Sequence, residues 1–131
     1  MINPTRRLLA VDDDVSSAEL IVRIAERCGF EAFATSDSRG VMNLTNALRP
    51  DVMALDVCMP NIDANDLFQL LAKANYAGKL LLVSGQEPDV LQKTAQNACV
   101  AGLAEPIIHR KPIDIPVLRS IFTSEDFLKA A

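Results

Sequence analysis

Leu8-Leu9-Ala10-Val11-Asp12-Asp13-Asp14 is a short apolar run that breaks off into three consecutive carboxylates. A run this short, bounded by charge, suits a buried strand better than a helix. In a parallel sheet the carboxyl ends of the strands are where a ligand crevice forms. Three acids at such an end repel one another, raising some of their pKa values unless a cation is present. Taken alone, the stretch reads first as a solvated acidic loop. A divalent-cation site needs more acids from elsewhere in the chain.

The residues that follow supply the frame. Ser16 or Ser17 fits the cap of a first helix, in which Leu20, Ile21, Ile24, Ala25 and Cys28 keep helical spacing. Gly29 fits the position that ends it. Residues 31–35 are extended in character, and Ser36-Asp37-Ser38 caps a second helix carrying Val41, Met42, Leu44 and Leu48, stopped by Arg49-Pro50. Residues 51–56 repeat the opening grammar, an apolar strand that delivers a carboxylate, Asp56, at its end. A proline turn at Pro60 leads to a third helix, capped by Asp63 or Asn65, bearing Leu67, Phe68, Leu70 and Leu71 and closed by Gly78. Residues 79–83 form a buried strand ending at Ser84-Gly85. Pro88 opens a fourth helix that runs to about Val100, with a thin apolar face (Val90, Leu91, Ala95, Ala98) that predicts loose attachment. Residues 106–110 form a fifth strand before Lys111-Pro112, and a last helix from about Asp114 carries Ile115, Leu118, Ile121 and Phe122. Beyond it, Thr123 or Ser124 could cap a fresh turn, or open a connection to something further.

Strand and helix thus alternate five times with short connections. That pattern implies parallel strands, right-handed crossovers and helices on both faces of one sheet. At 131 residues the chain is one domain with room for a real core. Its net charge of −4 argues against nonspecific binding to nucleic acid or anionic membrane. No apolar stretch approaches a membrane span, and residues 1–7 lack the apolar region of a secretion signal. Cys28, Cys58 and Cys99 are widely spaced with no CxxC pair, and read as free thiols in a reducing cytoplasm.

Four strand ends now carry chemistry: Asp12, Asp13 and Asp14 on the first, Asp56 on the third, Ser84 on the fourth and Lys111 on the fifth. The fold predicts that they converge on one edge. Carboxylates from two strands plus a loop carbonyl suit Mg²⁺, and a carboxylate beside metal can attack phosphorus to give an acyl phosphate. The remaining work of phosphoryl transfer is positioning and charge neutralisation.

The runs Val11-Asp12-Asp13-Asp14, Leu55-Asp56-Val57-Cys58-Met59-Pro60, Val83-Ser84-Gly85 and Lys111-Pro112 together resemble the receiver domain of two-component response regulators, from about Arg7 to about Phe122. The resemblance implies a flavodoxin-like (βα)5 fold with strand order 2-1-3-4-5, residues 123–131 being a tail or linker remnant. It implies Asp56 as phosphoacceptor and Asp12 and Asp13 as the acidic pair at Mg²⁺, with the backbone carbonyl of Cys58 as a further ligand. Ser84 matches the family's switch hydroxyl and Lys111 its lysine, whose bond to the following proline is often cis. A histidine kinase or phosphotransfer protein would be the donor. The surface of the fourth helix, fifth strand and fifth helix would contact a downstream protein, a tethered output domain or a second copy. On this reading the chain is no turnover enzyme; it catalyses only its own phosphorylation and slow hydrolysis.

Some residues depart from the pattern. Ile108 stands where an aromatic switch residue is usual, Ala64 stands for a loop glycine, and residues 102–111 are about two longer than expected. Gln86 and Cys58 occupy positions that influence phosphoryl lifetime in the family. His109, the sole histidine, reads as a strand-edge residue or one that supports the pocket from behind rather than as a phosphorelay histidine, Asp14 as solvated or a helix cap, and Cys28 and Cys99 as helix packing. Two rival readings are a phosphate-independent interaction module and a small haloacid-dehalogenase-type phosphatase with Asp12 as nucleophile and Asp14 as acid.

Overall fold

The computed structural model describes residues 5–59 and 63–128. Its elements run β1 (Arg7–Val11), α1 (Val15–Arg27), β2 (Glu31–Thr35), α2 (Ser38–Leu48), β3 (Val52–Leu55), α3 (Ala64–Lys73), β4 (Lys79–Ser84), α4 (Pro88–Val100), β5 (Ile107–Arg110), α5 (Ile115–Thr123) and a short α6 (Glu125–Leu128). The strands pair in parallel in the order β2-β1-β3-β4-β5. This is the expected flavodoxin-like arrangement.

Side chains alternate across a strand, so β1, β3 and β4 feed both faces of the sheet. Leu9, Val11, Met53, Leu55, Leu80 and Leu82 pack with α2, α3 and α4 on one side. Leu8, Ala10, Val52, Ala54, Leu81 and Val83 pack with α1, α5 and α6 on the other. Burial on both faces explains why these strands read as continuous apolar runs.

The helix ends settle several open choices. Asp14, not Ser16 or Ser17, caps α1: it holds the extended backbone preceding the helix, and its carboxylate accepts from Ser16 N. Asp37, Asp63 and Asp114 cap α2, α3 and α5 in the same way. The proline-turn expectation at Pro60-Asn61-Ile62 lies outside the described residues. Gly78 does not close α3. That helix stops at Lys73, with Asn75 taking the left-handed conformation. Gly78 instead permits a close approach, since a Cβ there would collide with the Tyr76 hydroxyl and lie 2.7 Å from the Asp51 carbonyl oxygen. In the tail, Ser124 Oγ accepts from Phe127 N, and the Phe127 ring lies 6.0 Å from that of Phe122.

Candidate functional site

Register brings the acids together. Val11 pairs with Leu55 and Leu55 with Leu82, so Asp12 and Asp56 leave the sheet side by side. Both are buried, Asp12 at 2% exposure and Asp56 at 7%. An isolated carboxylate at such burial is costly, and each of these has both oxygens engaged. Asp12 Oδ1 accepts from Asp14 N at 2.9 Å and Asp56 Oδ1 from Cys58 N at 2.8 Å. Their outer oxygens share one ammonium: Lys111 Nζ stands 2.9 Å from Asp12 Oδ2 and 3.3 Å from Asp56 Oδ2. Lys111 follows β5, and its main-chain N–H donates to Ser84 O at 2.8 Å. The Lys111–Pro112 bond is cis.

Asp13 is exposed, yet oxygens of Asp12, Asp13 and Asp56 all lie within 4.8 Å of one another. Three carboxylates thus face a single ammonium. An all-oxygen donor set with excess negative charge fits a hard divalent cation such as Mg²⁺.

The electrostatics refine the sequence expectation. Burial is the largest cause raising the Asp12 pKa, and the charge of Asp56 adds to it. Hydrogen bonds from Asp14 N–H and Lys111 pull it back, so repulsion between acids is secondary to desolvation here. For Lys111 burial opposes the charge, but the hydrogen bond to Asp12 and the two carboxylates overcome it and raise its pKa. The ammonium is therefore firmly protonated at neutral pH. Asp14 points out of the pocket. The Ser17 hydroxyl and nearby N–H groups hold its carboxyl below the ordinary range, which makes it a poor general acid.

Ser84 is fully buried at the end of β4, its Oγ accepting from Gln86 N at 3.3 Å, so its own proton is free to donate elsewhere. Cys58 follows on the loop after Asp56 with its thiol exposed. Cys28 is half-buried, but Cys99 is exposed and does not pack a helix as expected, because it lies on the wet side of α4. His109 is buried, and its Nε2 accepts from Asp114 N, the cap residue of α5.

One contact was not legible in the sequence. Arg110 Nε donates to Gln86 O at 3.1 Å, and its Nη2 stands 3.5 Å from Glu87, tying β5 to the loop after Ser84. Only the pairing of Ser84 with Arg110 in the sheet reveals it.

Comparison with known proteins agrees with this geometry. The model of the response regulator receiver domain matches residues 8–123. The DNA-binding response regulator MtrA of Mycolicibacterium paratuberculosis is 32% identical over 66 residues, 50% of this chain and 29% of MtrA. The CAI-1 autoinducer sensor kinase/phosphatase CqsS of Vibrio cholerae is 26% identical over 113 residues, 86% of this chain and 16% of CqsS. The chain thus spans less than a third of the length of either relative. A response regulator from Colwellia psychrerythraea superposes with a TM-score of 0.79 at 28% identity, covering 92% of this chain and 95% of that one. A signal receiver domain from Bermanella marisrubri gives 0.72 at 27%, covering 88% and 92%. With its fold, its acidic pocket and this match over nearly the whole chain, the protein belongs to the response regulator receiver domain family.

Proposed function

We propose that the chain is a phosphoacceptor in a two-component phosphorelay, with Asp56 taking a phosphoryl group from the phosphohistidine of a histidine kinase or phosphotransfer protein. The observation that carries this reading is the convergence of Asp12, Asp13 and Asp56 at the strand ends with Lys111 bridging two of them. An Asp56 oxygen attacks phosphorus, a P–O bond forms, the P–N bond breaks, and the imidazole leaves with a proton.

Asp12, Asp13, Asp56 and the carbonyl of Cys58 would hold Mg²⁺. When bound, the ion supplies charge neutralisation at the phosphoryl oxygens. Lys111 would neutralise the same developing charge from the β5 side, and Ser84 would donate a hydrogen bond to a phosphoryl oxygen. Asp12 stays in place through its Lys111 and Asp14 contacts and does not act as nucleophile. Asp14, committed to capping α1, is unsuited to the general-acid role of the phosphatase alternative.

The chain on this reading is one receiver unit over about residues 7–122, with the segment after it folding back as α6 to add Phe127 to the core. It works in the cytoplasm, among kinase domains and reduced thiols; among the described residues no helix is long and apolar enough to cross a membrane. The face made by α4, β5 and α5 carries the signal to an output domain, a separate protein or a second copy. Each of its elements exposes a branched apolar side chain, Val90, Ile107 and Val117.

Intact mass after incubation with acetyl phosphate and Mg²⁺ tests the chemistry. Wild type gains one phosphoryl group, and Asp56→Asn or added chelator abolishes the gain. A beryllofluoride-induced rise in Tm serves as the control for rapid hydrolysis. Loss of both signals in wild type would leave the phosphate-independent module as the better reading.

A further inference from the structure

The edge of the sheet opposite the acidic pocket, about 15 Å away along the strands, carries a cavity of about 710 Å³. Its size falls within the usual range of small-molecule sites. Although the whole chain is acidic, this cavity gathers Arg6, Arg49 and Lys79 against a single carboxylate, Asp51. Among the described residues none of the three cations has an ion-pair partner, whereas Arg7, Arg110 and Lys111 all do. Asp51 is already engaged, its Oδ2 accepting from Arg7 N at 2.8 Å.

The carboxyl ends of α2 and α3 also face this edge, and their dipoles oppose an anion. Among their terminal carbonyls Thr45 O accepts from Arg49 N, Leu48 O from the Arg7 guanidinium and Leu71 O from Tyr76 N, so the side-chain heads of Arg6, Arg49 and Lys79 are not the donors there. Three positive charges, against one from Asp51 and about −0.5 from each helix end, leave about one net positive charge. The balance favours an anion.

The rest of the wall is of a second kind. Tyr76, half-buried and fixed by donating its hydroxyl proton to Lys79 O at 2.8 Å, offers aromatic surface, while Phe127 closes the wall from within the core. The Thr45 hydroxyl lies buried in the wall with no hydrogen-bond partner among the described residues. Cations beside an aromatic ring match a ligand that joins phosphate to a planar ring.

We propose that this cavity binds an organic phosphate of nucleotide size, its phosphoryl oxygens held by Arg6, Arg49 and Lys79 and its ring against Tyr76. The site is independent of Asp56 and of phosphorylation.

Calorimetric titration of the full chain without Mg²⁺, using ADP, adenosine and inorganic phosphate in turn, tests the proposal, with amide spectra to locate binding. ADP is expected to bind at least tenfold more tightly than either fragment, perturbing amides of Asn46, Ala77 and Gly78. Arg49→Asn, chosen because Asn tolerates the left-handed backbone there, and Lys79→Gln each weaken ADP by about tenfold. Arg6→Gln gives the same loss and covers the case in which either variant misfolds. Asp56→Asn binds ADP as wild type does. The proposal is overturned if ADP does not bind, or if inorganic phosphate binds equally well, an adventitious ion only. Perturbations confined to the acidic edge, or variants with unchanged affinity, overturn it as well.

Discussion

Lys111 concentrates the physics of the acidic pocket in one side chain. It neutralises Asp12 and Asp56 together, and removing it leaves two buried carboxylates without a cation. Breaking such a cluster at one partner costs more than the cluster contributes when whole. Lys111→Met is therefore expected to lower stability by about 2 kcal/mol in the absence of metal. Mg²⁺ should then raise the Tm of the variant more than that of wild type, because it replaces the missing charge. An equal rise in both proteins would mean that Lys111 and the cation do not serve the same carboxylates. His109 carries the pH dependence that is easiest to isolate, since it is the sole histidine. Burial lowers its pKa, and neutral Nε2 accepts the Asp114 N–H. The unfolded chain then binds a proton at about pH 6.5, before the folded one does. Stability is full above that pH and falls as pH drops from 6.5 toward the lower folded value. A single imidazole resonance titrating at or above 6.5 would sink this account. These roles were unequally legible. Asp12, Asp56 and Lys111 declare themselves as charges at the ends of apolar runs, whereas the acceptor role of His109 depends on the cap residue of the next helix.

Among the elements, α4 is the one whose weakness the sequence expresses most directly. It buries only Leu91, Ala95 and Ala98, while Val90 is 46% exposed and Val100 86%. Its cap residue Glu87 makes no side-chain hydrogen bond to the helix, unlike the aspartates that cap α1, α2, α3 and α5. Two alanines and a leucine bury far less area than the Leu67, Phe68 and Leu71 of α3. Hydrogen exchange should accordingly release α4 amides well before those of α1 and α3. Protection in α4 equal to that of α3 would contradict it. The caps themselves show where sequence reading stops short. Serine and aspartate stand together before α1, and only the extended backbone at Asp14 selects between them. Gly78 misled for a related reason: its glycine serves packing against Tyr76 and Asp51, and composition cannot distinguish that need from a helix stop.

At the scale of the molecule the two edges of the sheet differ in charge, acids at the carboxyl ends of the strands and, at the amino ends, Arg6, Arg49 and Lys79 with no ion-pair partner among the described residues. The α4–β5–α5 face lies between these edges and exposes Val90, Ile107 and Val117. If that face carries the signal, beryllofluoride and Mg²⁺ should promote self-association or partner binding. Alanine at these three positions should reduce that response by at least tenfold while leaving phosphorylation of Asp56 intact. An unchanged response would move the signalling surface elsewhere. The Arg110 contacts to Gln86 and Glu87 link this face to the loop after Ser84.

The sequence by itself determined the alternation of strands and helices, the two-faced core and the residues of the acidic pocket. All of these are written as local periodicity and as charge placed at the end of an apolar run. Only the tertiary structure decided which aspartates cap helices, that burial rather than repulsion dominates at Asp12, and that Arg110 reaches the loop after Ser84. It also decided that Arg6, Arg49 and Lys79 share one cavity. Each of these is a relation between residues far apart in the chain, set by strand register and by the side of the sheet on which each helix packs.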